Sequence, residues 1–179
     1  IAGEDVRERT IVFFFEQETA YEMFVDEQSD FLTYLNLWRW IEQQRSELTN
    51  SRWQTALRKR FINPMRVREW REIYRQLKTV CTELGLKSNS TPGNFQQIHE
   101  SILVGSLSQI GRHEERGTYL AARNQRMSIF PGSGMAKRSP KWIVAAEIVE
   151  TRRVFARCVA RVESPWIEAR AQHLLRRRS

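Results

Sequence analysis

The chain has little of what a metal or redox enzyme needs. Cysteine occurs twice in 179 residues, at Cys81 and Cys158. The two lie far apart, each in an apolar pattern, so reduced core thiols in a cytosolic protein are expected, with a single disulfide as the alternative. His99, His113 and His173 fall on three separate elements with no Cys or His at ligand spacing, which argues against zinc. No G-x-S-x-G motif is present to supply a nucleophile. There is no apolar run long enough for a membrane span and no signal peptide, so no membrane partner and a cytoplasmic location are expected. The chain opens on Ile1 within a charged segment and reads as a fragment of something longer.

Acidic residues are also scarce beyond the first 50. Residues 1–50 hold 11 Asp/Glu against 4 Lys/Arg, a balance of −7; the remainder holds 10 against 25, a balance of +15. The net charge is +8 and the pI about 10.1. Such asymmetry suggests a basic working surface for an anionic partner.

The pattern reads as helices first and strands second. Residues 1–10 are polar and expected to be extended, and Ile11–Phe15 is a short apolar run of no assignable period. A helix is expected over 16–27. A second, FLTYLNLWRWIEQQR, is capped by Ser29 or Asp30 and is apolar on most sides, as suits the middle of a bundle. Trp53, Leu57 and Phe61 mark a third, ending in Arg58, Lys59 and Arg60. The fourth has Asn63 as N-cap, Pro64 at its first position and Gly85 as stop. Val67, Trp70, Ile73, Tyr74, Leu77, Val80, Cys81 and Leu84 form its apolar stripe, and Arg68, Arg71, Arg75 and Lys78 its basic one. Glu69 and Glu72 supply partners for part of the basic stripe. Phe95, Ile98 and Ile102 mark a short fifth helix.

From Leu103 the period changes to two. Strands are expected at about 103–112, 117–124, 126–131, 141–150 and 153–162, then a helix with Ser164 as N-cap and Pro165 at N1. The last strand splits Arg153, Phe155, Arg157, Val159 and Arg161 from Val154, Ala156, Cys158, Ala160 and Val162. The first set is a basic face with an aromatic on it, the second a core face. The fold class is therefore α+β: a helical bundle, then a five-stranded OB-fold-like barrel and a C-terminal helix. Strand 141–150, apolar on both faces, suits a place between the barrel core and a helix.

Gly132 to Ser139 resembles a phosphate loop, but Lys137 does not follow a glycine and Pro140 leads into a strand, so no helix N-terminus is there to hold an NTP. A loop carrying Lys137, Arg138 and Lys141 can still meet a nucleic-acid backbone; a plain surface hairpin is the alternative. The glutamate pairs have no apolar flank to raise their pKa, and no catalytic or metal-binding residue is assigned.

Three long segments carry a resemblance: SDFLTYLNLW (29–38), RFINPMRVREWREIYRQL (60–77) and SIFPGSGMAKRSPKWIVAAEIVET (128–151). They resemble the C-terminal part of DEAH-box RNA helicases, nearest to the bacterial HrpA branch, in order and spacing. VRERT (6–10) is similar to the family's D-P-R-E-R-P element, whereas 11–25 departs from it. The resemblance implies a helicase-associated ratchet domain, N-terminally truncated, over 1–102, and an OB-fold with its C-terminal helix over 103–179. It implies an accessory region of an ATP-dependent RNA helicase that forms part of a single-stranded RNA channel. Walker A and DEAH motifs are absent, so ATP and magnesium would belong to RecA-like motor domains of the same polypeptide, with no cofactor in this fragment. RNA contact is assigned to Asn63, Arg66 and Arg68 in the ratchet, and to Arg123, Arg126, Ser133, Lys137, Arg138 and Lys141 in the barrel. Met65 stands where eukaryotic relatives carry an Arg. The alternative function is a protein-docking module for the motor, an activator or a ribosome, with Arg153, Arg157 and Arg161 as a basic docking face.

Overall fold

The structure, a computed structural model, describes residues 21–115 and 117–175, without the side chains of 173–175. The expectations for VRERT, for Ile11–Phe15, for the start of the 16–27 helix, for the His173 side chain and for the basic tail lie outside the described residues.

The described residues divide into two compact units: residues 21–25 with 34–92, and residues 26–33 with 93–175. The first is helical. It holds most of α1 (Asp30–Glu47), then α2 (Asn50–Lys59) and α3 (Pro64–Glu83). Its core is Phe24, Leu37, Ile41, Trp53, Leu57, Ile62 and Val67. Asn63 caps α3 as expected, its side chain accepting from Met65 and Arg66 N–H, with Pro64 in the first turn. Such a cap is worth about 1 kcal/mol.

Two helical expectations change. α2 ends at Lys59, so Phe61 lies beyond it, 39% exposed, rather than on its apolar face. The apolar stripe of α3 is buried only at Val67; Ile73, Leu77, Val80 and Leu84 are about half exposed or more. Periodicity marks an amphipathic face but not what covers it.

The second unit contains α4 (Phe95–Gly105), a 3₁₀ turn at Leu107–Gln109, strands β1 (Ile110–His113), β2 (Thr118–Leu120), β3 (Arg126–Ile129), β4 (Trp142–Glu150) and β5 (Val154–Arg161), and α5 (Ser164–Leu175). The strands close into a barrel in the order β1-β2-β3-β5-β4. All neighbours are antiparallel except β3 and β5. Closure removes the free sheet edges. The barrel interior holds Tyr119, Met127, Met135, Ile143, Ala145, Ala156 and Val159. A second cluster, Leu103, Val144, Ala160 and Val162, packs with Phe31, Trp166 and Ile167. β4 thus buries both faces only over Ile143–Ala145; from Ala146 onward its residues are exposed or half-buried, although the apolar run continues.

The strand expected from 103 begins only at Ile110. Asn94 and Gln97 form a capping box that starts α4, and buried Leu103 extends it to Gly105. The α4 segment therefore belongs to the barrel unit, where the sequence reading divided the chain at 102/103. The strand expected over 117–124 stops at Leu120, because Arg123 and Asn124 adopt left-handed φ of 57° and 59° and turn the chain into β3. β3 itself ends at Ile129. The simple face split of β5 also fails. Cys158 is left-handed, φ 51°, and Val159 joins Ala156 in the barrel interior.

Candidate nucleic-acid interface

The helical unit carries a cleft of about 620 Å³, lined among others by Arg45, Arg58, Arg68, Arg71, Arg75 and Asn63, with Glu72 the one lining carboxylate among the described residues. Its arginines are held to different degrees. Arg71 donates to Glu42 at 2.6 Å. Arg45 and Arg71 lie 5.0 and 5.8 Å from the Trp53 ring centre. Arg45 also donates to Asn50 at 3.1 Å, and Arg75 pairs with Glu72 at 3.1 Å. Arg68 is exposed and makes no ion pair or side-chain hydrogen bond among the described residues. The result is a bare Arg68, an exposed Arg58 held only by a 3.5 Å hydrogen bond to Gln54, and three guanidinium groups fixed by stacking or ion pairs, an arrangement suited to backbone phosphates. Asn63 and Arg68 meet in this cleft. Arg66 does not line it and pairs with Glu69 at 3.0 Å. Asn63 Oδ1 is occupied as a helix cap. Sequence reading missed Arg45 and Trp53, which only the packing of α1 on α2 brings to α3.

In the barrel unit the expected residues have unequal positions. Arg123 is exposed in the left-handed turn before β3. Arg126 pairs with Glu114 at 3.2 Å, at a cleft where Arg112 and Arg126 face Glu114 and Glu115. Ser133 Oγ donates to Asp30 at 2.6 Å and so is spent inside the protein. Arg138 pairs with Glu27. Lys137 and Lys141 are exposed, with no ion pair among the described residues.

Arg153, Arg157 and Arg161 do not form one free face. Arg153 is exposed in the turn before the strand. Arg157 pairs with Glu147 at 3.2 Å and lies 5.4 Å from the Phe130 ring centre. Arg161 donates to Gln28 at 2.9 Å, pairs with Glu163 and lies over Phe95 at 5.0 Å.

Asp30 organises the 132–138 loop. Besides Ser133 it accepts from Gly134 N–H at 3.0 Å and Val159 N–H at 2.9 Å. The left-handed Cys158 precedes that last donor. Burial raises the Asp30 pKa despite these donors. Nearby, buried His99 bonds Ser29 at 2.6 Å and the Phe95 carbonyl at 2.6 Å, and burial lowers its pKa. Among the described residues no group of three His, Cys, Asp or Glu could hold a metal, and no helix is long and apolar enough to cross a membrane.

The barrel defines an OB-fold protein, and residues 98–174 match the family model described as oligonucleotide/oligosaccharide-binding (OB)-fold. Over 175 residues, 97% of the chain, the sequence is 42% identical to the ATP-dependent RNA helicase HrpA of Escherichia coli K12 and covers 14% of it. It is 41% identical to the HrpA homolog of Haemophilus influenzae, again over 97% of the chain and 13% of that protein. A probable ATP-dependent RNA helicase DHX35 of Homo sapiens is 24% identical over 86% of the chain, which covers 21% of it. Over nearly its whole length the chain is similar to the HrpA branch of the DEAH-box RNA helicases, and its residues 98–174 carry the match to the OB-fold family. It spans about one seventh of the length of the HrpA relatives it matches.

Proposed function

We propose that this stretch holds single-stranded RNA for an ATP-dependent RNA helicase, as part of the wall of its RNA channel. ATP and magnesium act in the motor domains of the same polypeptide, in the cytoplasm, and this stretch supplies no catalytic group. The observation that carries the reading is the helical unit's cleft, lined among the described residues by five arginines against one glutamate. The pinned guanidinium groups of Arg45, Arg71 and Arg75 meet phosphates with little further ordering, and the exposed Arg58 and Arg68 complete the set. Lys137, Lys141 and Arg123 offer further backbone contacts on the barrel. Backbone contact alone carries no sequence information, so binding is sequence-tolerant. The test is a titration of labelled single-stranded RNA, duplex RNA and single-stranded DNA with the chain. A preference for single strands supports the reading; equal binding to duplex, or none to RNA, sinks it.

A docking role for a motor domain, an activator or a ribosome is favoured by a different observation. Ile73, Leu77, Val80 and Leu84 are 54%, 59%, 48% and 70% exposed along one face of α3 and at its end. An exposed apolar stripe of this length marks an interaction surface. Leu77→Ser with Val80→Ser separates the two: lost partner stimulation with unchanged RNA affinity favours docking there.

A further inference from the structure

The turn between α2 and α3 holds a residue at odds with its backbone. Ile62 N–H donates to Leu57 O at 3.0 Å and Phe61 N–H to Arg58 O at 2.9 Å, which closes α2. This pattern puts residue 61 in the left-handed region, φ 56°. Glycine is the usual occupant there, because a Cβ is disfavoured. α3 closes in the same pattern, through Leu86 to Cys81 at 2.9 Å and Gly85 to Thr82 at 3.0 Å, and its left-handed residue is Gly85. At 61 the chain carries a phenylalanine instead, and that side chain is 39% exposed. Its neighbours Leu57 and Ile62 supply the burial. An aromatic ring kept in a costly backbone and left open to water is a pattern found at binding sites.

Phe61 lines a cleft of about 500 Å³ in the helical unit, with Met23, Trp40, Lys59 and Arg60 on its walls and no lining carboxylate among the described residues. The Arg60 guanidinium lies 4.9 Å from the Trp40 ring centre and donates to Met23 Sδ at 3.1 Å, which fixes it. Lys59 is exposed and makes no ion pair among the described residues. An open ring, a held guanidinium and a free ammonium are the groups that stack a base and meet its phosphate.

We propose that this cleft is a base-stacking subsite for single-stranded RNA. A nucleobase stacks on Phe61 and against Arg60, and Lys59 meets the adjacent phosphate. This rests on the RNA-holding reading above and adds a base contact to its phosphate contacts.

Phe61→Gly tests it, because stability and binding should move in opposite directions. Glycine suits the left-handed backbone, so the urea midpoint of the variant should hold or rise. Affinity for an oligouridylate should fall at least about five-fold, the lower end of the loss for one stacked base. Affinity for an abasic strand of equal length should not change. Phe61→Leu keeps the bulk and the backbone strain, and should lose the same affinity even if the glycine variant misfolds. Phe61→Tyr should retain it. If the wild type binds RNA and both variants bind it equally well, the subsite is overturned while the RNA-holding reading stands. An equal loss on the abasic strand also overturns stacking. If the wild type binds no RNA, the broader reading fails and the subsite with it.

Discussion

Ser133 and Asp30, 103 positions apart, share a 2.6 Å hydrogen bond, and the carboxylate also accepts from the backbone of Gly134 and Val159. One buried side chain thus ties the start of α1, the glycine-rich loop and β5 within the barrel unit. The loop's shape depends on it, although Asp30 itself contacts no solvent-facing cation of that loop.

A pH dependence follows from that node. Burial holds the Asp30 carboxyl above its ordinary value of 3.8. A carboxyl raised in the folded state keeps its proton longer there than in the unfolded chain. Its contribution is fullest below the ordinary value and falls as pH climbs through the window up to the raised one. Asp30→Asn lacks this titration. The melting-temperature margin of wild type over Asp30→Asn should therefore narrow from about pH 4 to neutral. A margin that widens over the same range contradicts the assignment.

Gly111 tests the barrel's packing. A Cβ at that position would stand 2.5 Å from Met127 Cε, 3.1 Å from Tyr119 Cβ and 3.2 Å from Ile143 Cγ1. The end of Met127 can give way, but the other two neighbours are barrel core. Gly111→Ala should lower stability by about 1–3 kcal/mol, the usual cost of overpacking. Urea unfolding measures this, and an unchanged midpoint would mean the interior is looser than described.

The thiols should react in two classes. Cys81 is exposed, whereas Cys158 is partly buried and burial pushes its pKa far above the ordinary thiol range. A maleimide or aromatic disulfide reagent should modify one thiol quickly in the native chain and the second only on unfolding. Two fast equivalents would place Cys158 at the surface.

Where local chemistry decides an element, the sequence was enough. Asn63, Pro64 and Gly85 bracket α3 because a cap, a donor-free first residue and a left-handed stop each act within a turn. The double-faced apolar run of β4 announced the two buried faces of its first half, Ile143–Ala145, but not the exposure of Ala146 beyond it. Where several elements meet, sequence pattern did not suffice. Strict alternation in β5 placed Val159 beside the arginines, but the Asp30 carboxylate draws its N–H and Cys158 takes the left-handed turn. Ser133 was expected to face RNA, and its acceptor lies in a segment 103 residues away. The arginine cleft was half legible. Arg68, Arg71 and Arg75 stood in one stripe, while Arg45 and Trp53 join them only through the packing of three helices.

The most direct measurement is the salt dependence of single-stranded RNA binding for the wild type and for Arg68→Ala with Arg58→Ala, read with the urea midpoint of each. Each neutralised phosphate contributes about −0.7 to the log–log slope on single strands. The account predicts micromolar binding at low salt, a wild-type slope of several phosphates, and a slope shallower by about one to two phosphates in the variant at unchanged stability. Equal slopes, or no binding by the wild type at low salt, would contradict the claim that this cleft holds the RNA backbone.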